Sequence, residues 1–177
     1  MITNFILAVF LLSLPVAQLK SIDSIRHQIS QHQADTIIAR LYLDLGSEFD
    51  NLNPDSALFF YNQALITAES SVDSLNPQVL HIKAKALQWT GTTHYLKGDY
   101  DLALHFYLRA LRVNEKLDSK KSIAKTLNNI GLIYTETGNY SKALEYHLLS
   151  LQNKEKIGDH QGVAASFNNI GYVYYCQ

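Results

Sequence analysis

Three glycines, Gly91, Gly131 and Gly171, stand 40 residues apart, and the phrase LNNIGLIY (127–134) returns as FNNIGYVY (167–174). The same step relates Gly98 to Gly138, Tyr100 to Tyr140 and Ala103 to Ala143. A period in this range is the mark of a stacked array in which each unit is one small supersecondary element. Within a unit the apolar residues follow helical spacing: Leu127, Ile130 and Tyr134 form one face, and Ala143, Leu144, Leu148 and Leu151 form another after the break at Thr137-Gly138-Asn139. Each unit is therefore a helical hairpin, and one hairpin cannot bury both of its apolar faces without a neighbour. A glycine inside a helix costs about 1 kcal/mol relative to alanine. Its regular return predicts a close approach between helices, with Gly131 against Ala143, Gly91 against Ala103, and Tyr134 filling beside them.

The residue pattern resembles the tetratricopeptide repeat. The second unit carries Leu87, Gly91, Gly98, Tyr100, Ala103, Tyr107 and Ala110, with Thr90 and His94 where an aliphatic residue and a tyrosine belong. The third carries Leu127, Ile130, Gly131, Tyr134, Gly138, Tyr140 and Ala143, with His147 and Ser150 replacing the later aromatic and alanine. The fourth has Phe167, Ile170, Gly171 and Tyr174. The first is the weakest: Ala57, Tyr61 and Ala64 fit, but Gly46 lies one residue off register. The resemblance implies an all-α α-solenoid of hairpins with a 40-residue period, longer than the common 34. Its units span about 34–73, 77–118, 120–158 and an incomplete 160–177. The NNIG, NEKL and KEKIGD phrases resemble repeats in the exported sensor regions of bacterial histidine kinases and related regulators. That likeness implies a sensory or scaffolding part of a longer signalling protein. The uncovered apolar face of Phe167, Ile170 and Tyr174 fits a chain that continues, against the alternative that the last helix serves as its own cap.

Residues 5–17, FILAVFLLSLPVA, form an uncharged apolar run shorter than the ~20 residues a bilayer span needs. This reads as a signal-peptide core within residues 1–20, with an uncleaved anchor and a docked apolar helix as alternatives. The expected location is exported, periplasmic or membrane-associated, with cytoplasmic as the alternative. Any membrane contact would run through that anchor or through a further segment. Ile22, Ile25 and Ile29 predict a short amphipathic helix within residues 21–33. Asn53 followed by Pro54 predicts a helix start.

A formal charge of -1 without a long basic run gives no footprint for a nucleic-acid backbone. The single cysteine, Cys176, excludes an internal disulfide framework. The seven histidines show no zinc spacing, and no nucleophile or phosphate-loop motif occurs, so no catalytic residue, metal or cofactor is expected. His94 and His147 stand at aromatic positions and are expected to pack.

The expected activity is binding. Stepping round the helix by 100° per residue places Asn128, Asn129, Leu132, Thr135 and Glu136, with Lys125, away from the hairpin core. The resemblance implies that this side lines a concave groove for an extended peptide or protein ligand. The same register adds Lys85, Gln88, Trp89, Thr92 and Tyr95 from the second unit, and Asn168, Asn169, Tyr172 and Tyr175 from the fourth. Carboxamides can pair with a peptide backbone, and Trp and Tyr offer wide contact surfaces. Two readings stand for Asn128 and Asn168: they contact a ligand, or they hold repeats together. Trp89 likewise serves as packing or as contact. The alternative function is a structural array for homodimerisation or spacing.

Overall fold

The computed structural model describes residues 22–25, 27–28, 35–73 and 75–177. The apolar run 5–17 and Ile29 lie outside them. Among the described residues from Asp35 on, seven helices follow one another: α1 (Asp35–Phe49), α2 (Pro54–Ser70), α3 (Pro77–Leu96), α4 (Tyr100–Lys116), α5 (Lys120–Glu136), α6 (Tyr140–Lys156) and α7 (His160–Cys176). Among the described residues there is no strand, and no helix is long and apolar enough to cross a membrane. The hairpins α1–α2, α3–α4 and α5–α6 stack in chain order, with α2 on α3, α4 on α5 and α6 on α7. Alternate helices also meet, α1 with α3 and α5 with α7. The chain is an all-α solenoid.

The 40-residue period has a simple local origin. Helices α4 to α7 are each 17 residues long and are separated by turns of three. Each of these turns, like the one between α3 and α4, places its middle residue in the left-handed region: Gly98 (φ 80°), Asp118 (φ 47°), Gly138 (φ 72°) and Gly158 (φ 69°). The following N–H then reaches back to the helix, as in Asp99 N to His94 O (2.9 Å), Ser119 N to Asn114 O (3.0 Å) and Asn139 N to Tyr134 O (2.8 Å). This is the six-residue closure of a Schellman motif, which glycine makes at least cost. One turn geometry, used every 20 residues, thus builds both the hairpins and the links between them.

Helix starts are capped by side chains. Asn53 accepts from Ser56 N (3.0 Å) with Pro54 behind it, Asn139 from Lys142 N (3.3 Å) and Asp159 from Gly162 N (2.9 Å). The first unit is off register because α1 ends three residues after Gly46, whereas α3 and α5 run five residues past Gly91 and Gly131. A four-residue loop at 50–53 recovers one of those two residues.

The recurring glycines accept rings. A Cβ on Gly91 would lie 2.8 Å from the Tyr107 ring and 3.3 Å from the Ala103 carbonyl oxygen; on Gly131 it would lie 2.7 Å from the His147 ring. Gly46 faces the Tyr61 ring in the same way. The close approach expected between Gly131 and Ala143 is therefore chiefly one of backbone to aromatic ring. Tyr134 lies beside it, stacked on Tyr146 at 5.5 Å. His147 is wholly buried, as its aromatic position predicts, and His94 stacks in parallel on Phe106 at 5.6 Å. Ile22, in the helical residues 22–25, is fully buried in the first hydrophobic cluster with Leu43, Phe49 and Phe60, and Ile25 packs at its edge.

Candidate functional site

Because α3 and α5 occupy equivalent places in successive hairpins, residues 40 apart line one surface. Between them opens a groove of about 390 Å³ whose walls include Trp89, Thr92, Tyr95, Lys125, Asn129 and Leu132, six of the residues selected from sequence. Asp50, Leu96 and Tyr107 complete it. Tyr107 reaches this surface from the second helix of its hairpin, across the gap that Gly91 leaves, so its position opposite that glycine was the available signal. Its hydroxyl meets Thr92 Oγ1 at 3.0 Å and the Asn129 side chain, and burial raises its pKa above the ordinary phenol range. Thr92 Oγ1 also lies 3.0 Å from the Gln88 carbonyl, to which it donates. Tyr95 is raised by burial and by Glu136, with which it shares a hydrogen bond between adjacent hairpins. Asp50 accepts from the Tyr61 hydroxyl at 2.7 Å, and burial lifts its carboxyl above the usual range despite that bond.

Trp89 also borders an adjoining depression of about 340 Å³ towards α1, which contains Arg40, Asp44, His81 and Lys85. The indole is half-buried and packs on Tyr61 at 5.4 Å, so Trp89 serves both core and groove. Burial raises the Asp44 carboxyl, while Arg40 and Lys85 pull it down. A third depression, about 210 Å³, lies towards α7 and is lined by Lys121, Lys125, Asn128, Lys154 and Asp159, with Ala124.

The adjacent asparagines divide their work. Asn129 faces the groove, whereas Asn128 Oδ1 accepts from Asn169 Nδ2 (2.9 Å) and lies 3.5 Å from Lys154 Nζ. Lys154 donates to Ser166 Oγ at 2.8 Å, and its pKa is lowered by burial. Asn128 therefore ties α5 to α6 and α7, and Asn169 is its partner. Asn168 is exposed on α7, as are Tyr172 and Tyr175. Two selected residues are turned inward: Gln88 is buried with Nε2 unpartnered among the described residues, and Thr135 is buried with its hydroxyl donating to the Gly131 carbonyl (3.0 Å). Glu136 is exposed at the groove margin beside Tyr95. Among the described residues no three His, Cys, Asp or Glu side chains converge as a metal site.

The family described as tetratricopeptide repeat matches residues 82–156 and 122–177. No curated protein matches the chain in sequence. Among solved structures, BtubC (BKLC) from P. vanneervenii superimposes with a TM-score of 0.80 at 20% identity, covering 91% of this chain and 66% of that one. The apo form of RapI superimposes with a TM-score of 0.78 at 18% identity, covering 89% of this chain and 43% of that one. The chain thus spans less than two thirds of either structure, and at these identities the likeness is one of fold.

Proposed function

Since the chain belongs to the tetratricopeptide repeat family, whose repeats generally serve as protein-interaction modules, we propose that it binds an extended peptide segment of a partner protein along the α3–α5 surface. The observation that carries this reading is the groove of about 390 Å³, where the carboxamide of Asn129 stands among the apolar faces of Trp89, Tyr95 and Leu132. Such a surface offers hydrogen bonds to a peptide backbone and flat contacts to its side chains. Its test is a selection of displayed random peptides on the immobilised protein. Selected peptides lose about tenfold or more in affinity on Asn129→Ala or Leu132→Glu, with thermal stability maintained. Peptides that bind these variants as well as the parent contradict the reading.

A second reading, self-association, is favoured by α7, whose Phe167 and Tyr174 are 59% and 63% exposed. Sedimentation of the parent and of Phe167→Ser separates the two. We further propose that the module is the exported sensory or scaffolding part of a longer signalling protein. The apolar run 5–17 and the resemblance of the repeat phrases support this. A fusion of residues 1–30 to a reporter active only outside the cytoplasm tests export. The reading frame after Gln177 tests the signalling context.

A further inference from the structure

The groove's charge is unlike that of the chain. The sequence holds 15 basic and 16 acidic residues, yet the three depressions are lined by five cations, Arg40, Lys85, Lys121, Lys125 and Lys154, against three carboxylates, Asp44, Asp50 and Asp159. The cations are in register: Arg40, Lys85 and Lys125 each stand six residues before Gly46, Gly91 and Gly131, so each hairpin contributes one at the same height of its first helix. Lys121 lies one turn before Lys125. Among the described residues Lys121 and Lys125 form no ion pair.

The carboxylates are already engaged. Asp50 accepts from Tyr61, Asp159 caps Gly162 N, and Asp44 lies in the field of Arg40 and Lys85. Glu136, at the margin, is tied to Tyr95. Lys154 closes the row: it is 8% exposed, its ammonium donates to Ser166 Oγ and lies near Asn128 Oδ1, and it stands in the field of Asp159 beside the depression that Lys121 and Lys125 share. The exposed ammonium groups of Lys121 and Lys125, which form no ion pair among the described residues, are open to a carboxylate, and charge-assisted bonds are about twice as strong as neutral ones.

From this row of cations we infer that the partner segment is acidic, an extended peptide whose Asp or Glu side chains meet Arg40, Lys85 and Lys125 in turn and reach the Lys121–Lys125–Lys154 depression. This inference rests on the groove reading and names the chemistry of its occupant.

The experiment uses three labelled peptides of about twelve residues, with Glu, Gln or Lys at alternate positions and Ala or Tyr between, titrated by fluorescence anisotropy at low and at physiological salt. The Glu peptide is expected to bind about tenfold or more tighter than the Gln peptide at low salt, with the gap closing as salt rises. Charge reversal at two exposed positions, Lys85→Glu with Lys125→Glu, is expected to move the preference to the Lys peptide, with circular dichroism confirming the fold. Equal binding of the Glu and Gln peptides, or an unchanged preference in the reversed variant, overturns the inference. If the three bind alike and Asn129→Ala weakens all of them, the groove reading survives alone. If none binds, both fall. An oligothymidine of similar length that displaces the Glu peptide also overturns it, by assigning the row to phosphates.

Discussion

At the scale of the residue, the repeated glycine is an instruction whose meaning depends on what covers it. Gly131 and Gly171 are equivalent in sequence, yet a Cβ on Gly131 would meet the His147 ring at 2.7 Å, whereas nothing lies within 4 Å of one on Gly171. Substitution by alanine therefore has opposite signs at the two sites. Gly131→Ala overpacks the hairpin and destabilises by about 1–3 kcal/mol. Gly171→Ala gains helix propensity and stabilises by about 0.5–1 kcal/mol. Denaturant midpoints of the two variants check this; a shift in the same direction for both contradicts the packing account. Asp118 offers a second case. It holds φ 47° at the turn position that glycine fills at 98, 138 and 158. Asp118→Gly relieves left-handed strain, and a gain of about 0.5–1 kcal/mol, or about 1–4 °C in melting temperature, is expected.

At the scale of the element, the α5–α6 hairpin carries a pH dependence of stability. His147 is wholly buried, neither ring nitrogen has a partner among the described residues, and burial, aided by Lys154, lowers its pKa to about 4. In the unfolded chain the imidazole titrates near 6.5. Between those values the unfolded state binds the proton and the folded state does not, so stability present above pH 6.5 is lost as pH falls towards 4, by about 3 kcal/mol in all. His147→Phe removes this loss and spares two unsatisfied nitrogens. Urea unfolding of both proteins at neutral pH and near pH 4.5 measures it, and an unchanged pH slope in the Phe variant sinks the assignment. The hairpins themselves were legible in the sequence, because apolar spacing and the 40-residue glycine step are local signals. The 20-residue turn was not, because Asp118 interrupts the glycine series and φ is not written in residue type. Gln88 and Thr135 faced inward for a related reason. A 100° step assigns angle but not how closely a neighbouring helix packs, and both lie where α3 and α5 are covered.

At the scale of the whole molecule, register converts sequence period into a surface. Trp89, Thr92, Tyr95, Lys125, Asn129 and Leu132 come together because α3 and α5 are successive first helices of stacked hairpins. That much followed from the repeat. The contribution of Tyr107, the engagement of Asn128 by Lys154 and Asn169, and the unequal roles of the two asparagines depend on side chains crossing between helices, which no periodicity encodes. The division predicts distinct phenotypes: Asn128→Ala loosens α7 and lowers stability by about 1–2 kcal/mol, whereas Asn129→Ala weakens ligand binding with a smaller effect on folding. Thermal melts and peptide titrations of the pair separate the two, and a shared phenotype contradicts it.

Trp89 is the single tryptophan of the sequence and borders both the central groove and its neighbour towards α1. Its emission is thus an internal reporter of the proposed binding surface. The most direct measurement is a titration of the protein with a selected peptide, following Trp89 fluorescence and the anisotropy of the labelled peptide together. A saturable change in emission with the same midpoint as the anisotropy, abolished by Leu132→Glu, is the result the groove account predicts. Binding that leaves Trp89 emission unchanged, persists in Leu132→Glu and is lost on Phe167→Ser would place the interaction on α7 and contradict it.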